Sequence, residues 1–155
     1  MGSDPSTLVM DRAAIERAIP HRDPFLFVER VLERGADTLT GEWTVRADLP
    51  ALAGHYPGHP LLPGALIAEF TFQCAAILFS DPGQASLGAS VPVLTRIEDA
   101  RFKKMVAPGD VLRATLETVE RLGPARFMKA HVTCGGETVA RLRFTVALVP
   151  RSGGS

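Results

Sequence analysis

Cysteine is scarce in this sequence: Cys74 and Cys134 are the only two in 155 residues, and neither belongs to a CxxC pair. That excludes a disulfide-stapled scaffold and a zinc module, and it reads as two buried thiols in a reducing compartment. Net charge is missing as well, because 17 basic and 17 acidic side chains cancel. No overall field draws such a chain onto nucleic acid or an anionic membrane. Long apolar runs are also absent. The longest, residues 61–79, is interrupted by Pro63, Gly64, Glu69 and Gln73, which argues against a membrane span. Residues 1–10 lack the basic start and apolar run of a signal peptide, so a soluble, cytoplasmic protein is expected.

With 46% hydrophobic and 22% charged residues, the chain can bury one core and is not a disordered polymer. It carries no internal repeat and no low-complexity linker. One domain is expected, with an ordered part over about residues 11–149 and flexible ends at 1–6 and 151–155.

Asp11 can cap a short helix that runs to Ile19 and stops at Pro20. Residues 25–34 read as a strand, and the alternation of Leu39, Gly41, Trp43 and Val45 predicts a second. Four prolines and three glycines over residues 47–64 predict a stiff, irregular loop. The spacing then predicts one long helix over 65–79, apolar on nearly every side and therefore buried on every side. Further strands are expected over 93–102, 111–120, 126–133 and 138–148, the last two joined by a Gly135-Gly136 turn. In the last strand, Ala140, Leu142, Phe144 and Val146 alternate with Arg141, Arg143 and Thr145, so one face is wet and the sheet antiparallel. An α+β fold follows, a sheet curled around a central helix.

Glu69 is the residue that composition makes most informative. An ionised carboxylate in an apolar helix costs several kcal/mol or has its pKa raised. That suits a general acid, or else a structural carboxyl held by an ion pair or hydrogen bond. Gln73, four residues on, can orient that carboxyl, or simply satisfy its own amide. His55, in the stiff loop, carries an imidazole suited to proton abstraction. His55 and His59 have metal-ligand spacing, but Pro57 and Gly58 between them forbid the helix that would put both on one face, so no metal is expected. His21 and His131 are expected in structural roles. Pro63 and Gly64 open the long helix, where outward amides and the positive end of the dipole suit a carbonyl gaining negative charge.

Three stretches resemble one family. Residues 54–66 (GHYPGHPLLPGAL), followed by Glu69 and Gln73, are similar to the signature of FabZ-type 3-hydroxyacyl-acyl-carrier-protein dehydratases. Residues 19–31 (IPHRDPFLFVERV) and 100–110 (ARFKKMVAPGD) resemble flanking segments of that family, in the same order. The resemblance implies a single hot-dog domain: a curved antiparallel sheet wrapped around one long helix. It implies loss of water from a (3R)-3-hydroxyacyl thioester, giving the trans-2-enoyl thioester without cofactor or metal. His55 would take the α-proton, Glu69 would serve the departing hydroxyl, and the Gly64 amide would hold the thioester carbonyl. Gln73, Tyr56, Pro57 and Pro63 would support them. The substrate would arrive on the phosphopantetheine of an acyl carrier protein, docking on Arg101, Lys103, Lys104 and Arg96. The assembly would be a two-fold homodimer, or a trimer of such dimers, with His55 of one protomer facing Glu69 of the other.

Some positions depart from the family pattern. Ala51-Leu52 stands where an aromatic pair is usual, Ala65 where Val is usual, and Phe70-Thr71-Phe72 is bulkier than expected. Residues 81–91 lack the aromatics expected near an acyl tunnel. These changes alter the expected pocket walls and spare the reacting groups. A hot-dog thioesterase, or a non-catalytic acyl-thioester binder, would share the fold.

Overall fold

Asp11 caps the first helix, α1 (Arg12–Ala18), its carboxylate accepting from Ala14 N at 2.9 Å. Arg22 closes the other end by donating to the carbonyls of Glu16 and Ile19, each at 2.8 Å. The structure, a computed structural model, describes residues 8–55, 58–80 and 90–150. Six strands follow the expected hairpin signals: β1 (Arg30–Arg34), β2 (Thr38–Thr44), β3 (Ser90–Phe102), β4 (Val111–Leu122), β5 (Ala125–Cys134) and β6 (Glu137–Pro150). They form one antiparallel sheet in the order β1-β2-β4-β5-β6-β3. The sheet packs around the long helix, and the fold is the hot-dog arrangement. Gly135 and Gly136 both adopt positive φ (58° and 84°) in the β5–β6 turn, the backbone that this hairpin needs and other residues resist.

Two local expectations are corrected. The first strand covers only Arg30–Arg34: Glu29 N still donates to Glu42 O of β2, but Phe27 N donates to the side chain of Gln73 at 2.8 Å instead of to a neighbouring strand. The stiff loop contains a short helix, α2 (Pro50–Ala53), where Pro50 occupies the first turn at no hydrogen-bond cost.

The long helix, α3 (Gly64–Leu78), supplies the centre of the core with Ile67, Phe70, Cys74, Ala75 and Ile77. Inward residues of β4, β5 and β6 close over it, among them Leu112, Leu116, Val132, Leu142 and Phe144. An aromatic chain runs Phe25–Phe27–Trp43–Phe70, with successive ring centroids 4.8–5.5 Å apart. Phe70 and Thr71 are thus core, and Phe72 stands edge-on to Phe144 at 4.9 Å. Burial pushes the Cys74 thiol far above its ordinary range, so it stays protonated. Among the described residues no helix is long and apolar enough to cross a membrane.

Gly41 is where β2 crosses closest to α3. A Cβ there would stand 2.7 Å from Cys74 Sγ, closer than packed atoms tolerate. Gly41→Ala should therefore destabilise the fold by about 1–3 kcal/mol. Adding Cys74→Ala, which removes the obstructing sulfur, should return part of that loss. Urea unfolding of both single variants and the double variant measures the coupling, and strict additivity would contradict the contact.

α3 is not buried on every side, contrary to the sequence expectation. Leu66, Glu69, Phe72, Ala76 and Phe79 recur at helical spacing and remain partly open. Beside this stripe runs β3, an edge strand whose inward residues Leu94, Ile97 and Phe102 are still exposed, and Met105 beyond it is 74% exposed. Helical periodicity cannot tell a face that meets the chain's own sheet from one left uncovered within a single chain.

Candidate active site

α2 ends at Gly54, and the backbone N–H of His55 closes the turn on Leu52 O at 3.3 Å. The half-buried His55 ring lies with Nδ1 2.9 Å from the carbonyl oxygen of Leu61. A carbonyl only accepts, so Nδ1 carries a hydrogen, and in the neutral ring the lone pair is on Nε2. This is the tautomer a general base requires. Tyr56 and Pro57 lie outside the described residues.

Pro63 stands at the N-cap of α3 with extended backbone (φ −61°, ψ 138°) and offers no side-chain cap. The first-turn amides, Gly64 among them, carry the positive end of a 15-residue helix. A Cβ on Gly64 would sit 3.3 Å from ring atoms of Phe102, so glycine lets that ring close against the helix start. The amide and the Phe102 ring thus lie together at one mouth of the core.

One turn further along α3, the Glu69 side chain is 24% exposed in the open stripe. Gln73 Nε2 donates to Glu69 Oε1 at 3.2 Å and to Phe25 O at 2.8 Å, while its Oε1 accepts from Phe27 N. The amide thus has every polar atom engaged, and one of its hydrogens reaches the Glu69 carboxyl. It clamps the segment that leads into β1 against the helix.

That clamp places a residue whose part the sequence reading missed. His21 Nε2 lies 3.8 Å from Glu69 Oε1, and its Nδ1 is buried with no hydrogen-bond partner among the described residues. Burial holds its imidazolium below the ordinary range, with Arg22 adding to that and Glu69 opposing it. The signal available was its place directly after a helix-stopping proline in a segment that must return over α3. His21 also lines an apolar cleft of about 70 Å³ between α3 and the start of β3, with Ile19, Pro20, Ala76, Val91 and Pro92.

The described polar partners of Glu69 are Gln73 and His21, both from the same chain, and His55 is not among them. The remaining residues singled out in the sequence lie apart. Arg96 and Arg101 stand on the outer side of β3, within 3.9 Å of Glu98 and 3.1 Å of Asp99 respectively. Lys104 donates to Glu137 at 2.7 Å, and Lys103 follows the strand end, its N–H on Val139 O. His59 is exposed, and His131 Nε2 lies 2.9 Å from Thr138 Oγ1 across β5 and β6. Among the described residues no cluster of three His, Cys, Asp or Glu side chains could hold a metal.

Comparison with known proteins follows these features. Residues 32–137 match the family model described as ApeI-like, ApeI dehydratase. The 3-hydroxyacyl-[acyl-carrier-protein] dehydratase FabZ of Anaeromyxobacter sp. (strain Fw109-5) is 36% identical over 149 residues, 94% of each chain. FabZ of Bacillus pumilus (strain SAFR-032) is 33% identical, covering 92% of this chain and 99% of the relative. In fold, the chain matches a protein of the dehydratase heterocomplex ApeI:P from Xenorhabdus doucetiae, with TM-score 0.73 at 17% identity, covering 88% of this chain and 91% of that one.

Proposed function

Because the chain belongs to the FabZ-type 3-hydroxyacyl-[acyl-carrier-protein] dehydratases, we propose that His55, Glu69 and the Gly64 amide carry out that family's reaction here. The protein is a dehydratase that removes water from a 3-hydroxyacyl thioester held on acyl carrier protein. The thioester carbonyl accepts from Gly64 N–H, which acidifies the α-carbon and stabilises enolate character. His55 Nε2 takes the α-proton. Glu69 delivers a proton to the C3 hydroxyl, which leaves as water, and the C2–C3 double bond forms. His55 is then protonated and Glu69 ionised, and exchange with solvent resets both. The observation that carries this reading is the hydrogen bond from His55 Nδ1 to Leu61 O, which puts the lone pair of the neutral ring on Nε2. Gln73 holds the Glu69 carboxyl in place, and burial keeps His21 beside it neutral. The acyl chain would follow the apolar cleft beyond His21.

The site is completed by a second copy of the chain. The open α3 stripe and the exposed Leu94, Ile97 and Phe102 form one apolar surface along an unpaired strand edge, the kind of surface that a second chain covers. Such a dimer brings His55 of one copy to Glu69 of the other. The carrier protein is acidic and meets basic side chains at the rim, Arg96, Arg101, Lys103 and Lys104 among them.

Incubation with a (3R)-3-hydroxyacyl carrier protein, followed by mass spectrometry, should show loss of the mass of one water with the acyl group still attached. Release of the free acid would identify a thioesterase instead. An unchanged substrate, bound but not converted, would identify a non-catalytic binder.

A further inference from the structure

The outer face of the sheet carries a charge arrangement that fold stability opposes. Alternation on β5 and β6 buries one side of the sheet and turns Lys129, His131, Arg141 and Arg143 to the other, and register places Arg101 of the edge strand β3 on that same outer side. The register sets Arg101 opposite Arg141, and Lys129 opposite Arg143. Like charges facing each other across strands destabilise a sheet. The chain has as many acidic as basic residues, and elsewhere it pairs them: Arg12–Glu16, Arg46–Asp23 and Arg113–Glu42 are examples. Among the described basic side chains only Arg17, Lys103, Lys129, Arg141 and Arg143 make no ion pair or side-chain hydrogen bond with a described residue. Three of these five share this one patch. Asp99 pairs with Arg101 and stands opposite Arg143 on β6, and Glu117 lies opposite Lys129, so four basic side chains meet two acidic ones and the patch stays positive. His131 registers the excess: burial, then Arg141 and Lys129, hold its imidazolium below the ordinary range.

Asp99, Arg101, Lys129, Arg141 and Arg143 line a shallow depression of about 260 Å³. It crosses three strands, roughly 10 Å at ordinary strand spacing. Its border reaches the site, because Phe102, next to Arg101, turns to the other side of β3 and closes on Gly64.

We infer that the outer-face patch of Arg101, Lys129, Arg141 and Arg143 is a docking surface for the acidic face of the carrier protein. The inference rests on the carrier-protein reading above and moves the centre of docking from the β3 end onto the sheet. A shallow, multi-strand cationic surface suits the spread carboxylates of a folded acidic protein better than one small anion. The retained like-charge pairs are the cost in stability that such a partner relieves on binding.

The test uses the full chain with Arg141→Gln and Arg143→Gln combined, and Arg17→Gln as the control for an unpaired cation elsewhere. At low salt the double variant should lose about tenfold or more in kcat/KM on carrier-bound substrate, through KM, and the gap should narrow as salt rises. Turnover of a small N-acetylcysteamine thioester should stay within about twofold, since no reacting group is touched. Its Tm should rise by roughly 1–4 °C as the cross-strand repulsion is removed, which separates weak docking from a damaged fold. Titration with fluorescently labelled holo-carrier protein reads docking without turnover, and Kd should rise about tenfold. If the wild type binds carrier protein but converts nothing, the dehydratase reading fails and the docking surface stands. Unchanged KM and Kd for carrier protein in an active double variant overturns the inference. So does equal loss on both thioesters.

Discussion

Glu69→Gln is expected to lower kcat on the carrier-bound 3-hydroxyacyl substrate at least about a hundredfold, while the protein folds normally. Glutamine keeps the volume and the acceptor, so Gln73 Nε2 can still donate to the side chain at position 69. Loss of the proton donor is then the only large change, because an amide cannot protonate a departing hydroxyl. KM should move little, since in the proposed reaction the carboxyl acts on the reacting bond and not on the acyl chain. Circular dichroism and thermal unfolding, run beside the kinetics, separate the alternatives. A variant that unfolds but keeps its specific activity would assign the carboxylate to structure.

How much of this site is legible in the sequence depends on the range of the contact. The alternation in β6 predicts both its buried face and its exposed Arg141 and Arg143, because neighbouring residues on a strand necessarily point apart. The long helix is equally legible, since a run from Leu66 to Leu78 with few polar interruptions admits few other structures. Its open stripe is not, because an apolar side chain reads the same whether its own sheet or a second chain covers it. Residues 25–27 have strand composition yet lie outside β1, because the amide of Gln73 takes the backbone groups of Phe25 and Phe27. No local pattern encodes that bond. The same applies to His21, which local context makes a residue after a turn and which tertiary return over α3 sets 3.8 Å from Glu69. Bulky Phe70 reads as a possible pocket wall, but it faces Trp43 in the core. The expected absence of aromatics near the acyl tunnel concerns residues that lie mostly outside those described.

The proposed shared site makes the sharpest prediction, because it concerns which chain supplies each group. His55→Ala removes the base and Glu69→Gln the acid, so each purified variant should be nearly inactive alone. If the two groups serve one reaction from opposite copies, unfolding and refolding an equal mixture should restore activity. Random two-fold pairing makes about half of the dimers mixed. Each mixed dimer then holds one site lacking both groups and one site with the His55 of one chain and the Glu69 of the other. Half of the sites in half of the dimers are intact, so activity should return to about a quarter of wild type. A His55 and Glu69 acting within one chain would leave every site damaged, whatever the pairing. Mixing without unfolding is the control and should recover little, because exchange would require the proposed interface along β3 and α3 to separate. The mixed dimer can be counted by native mass spectrometry, since the two variants differ in mass. Abundant mixed dimers with no rescue would overturn the cross-subunit assignment, and it would do so even if the Glu69→Gln result had come out as expected.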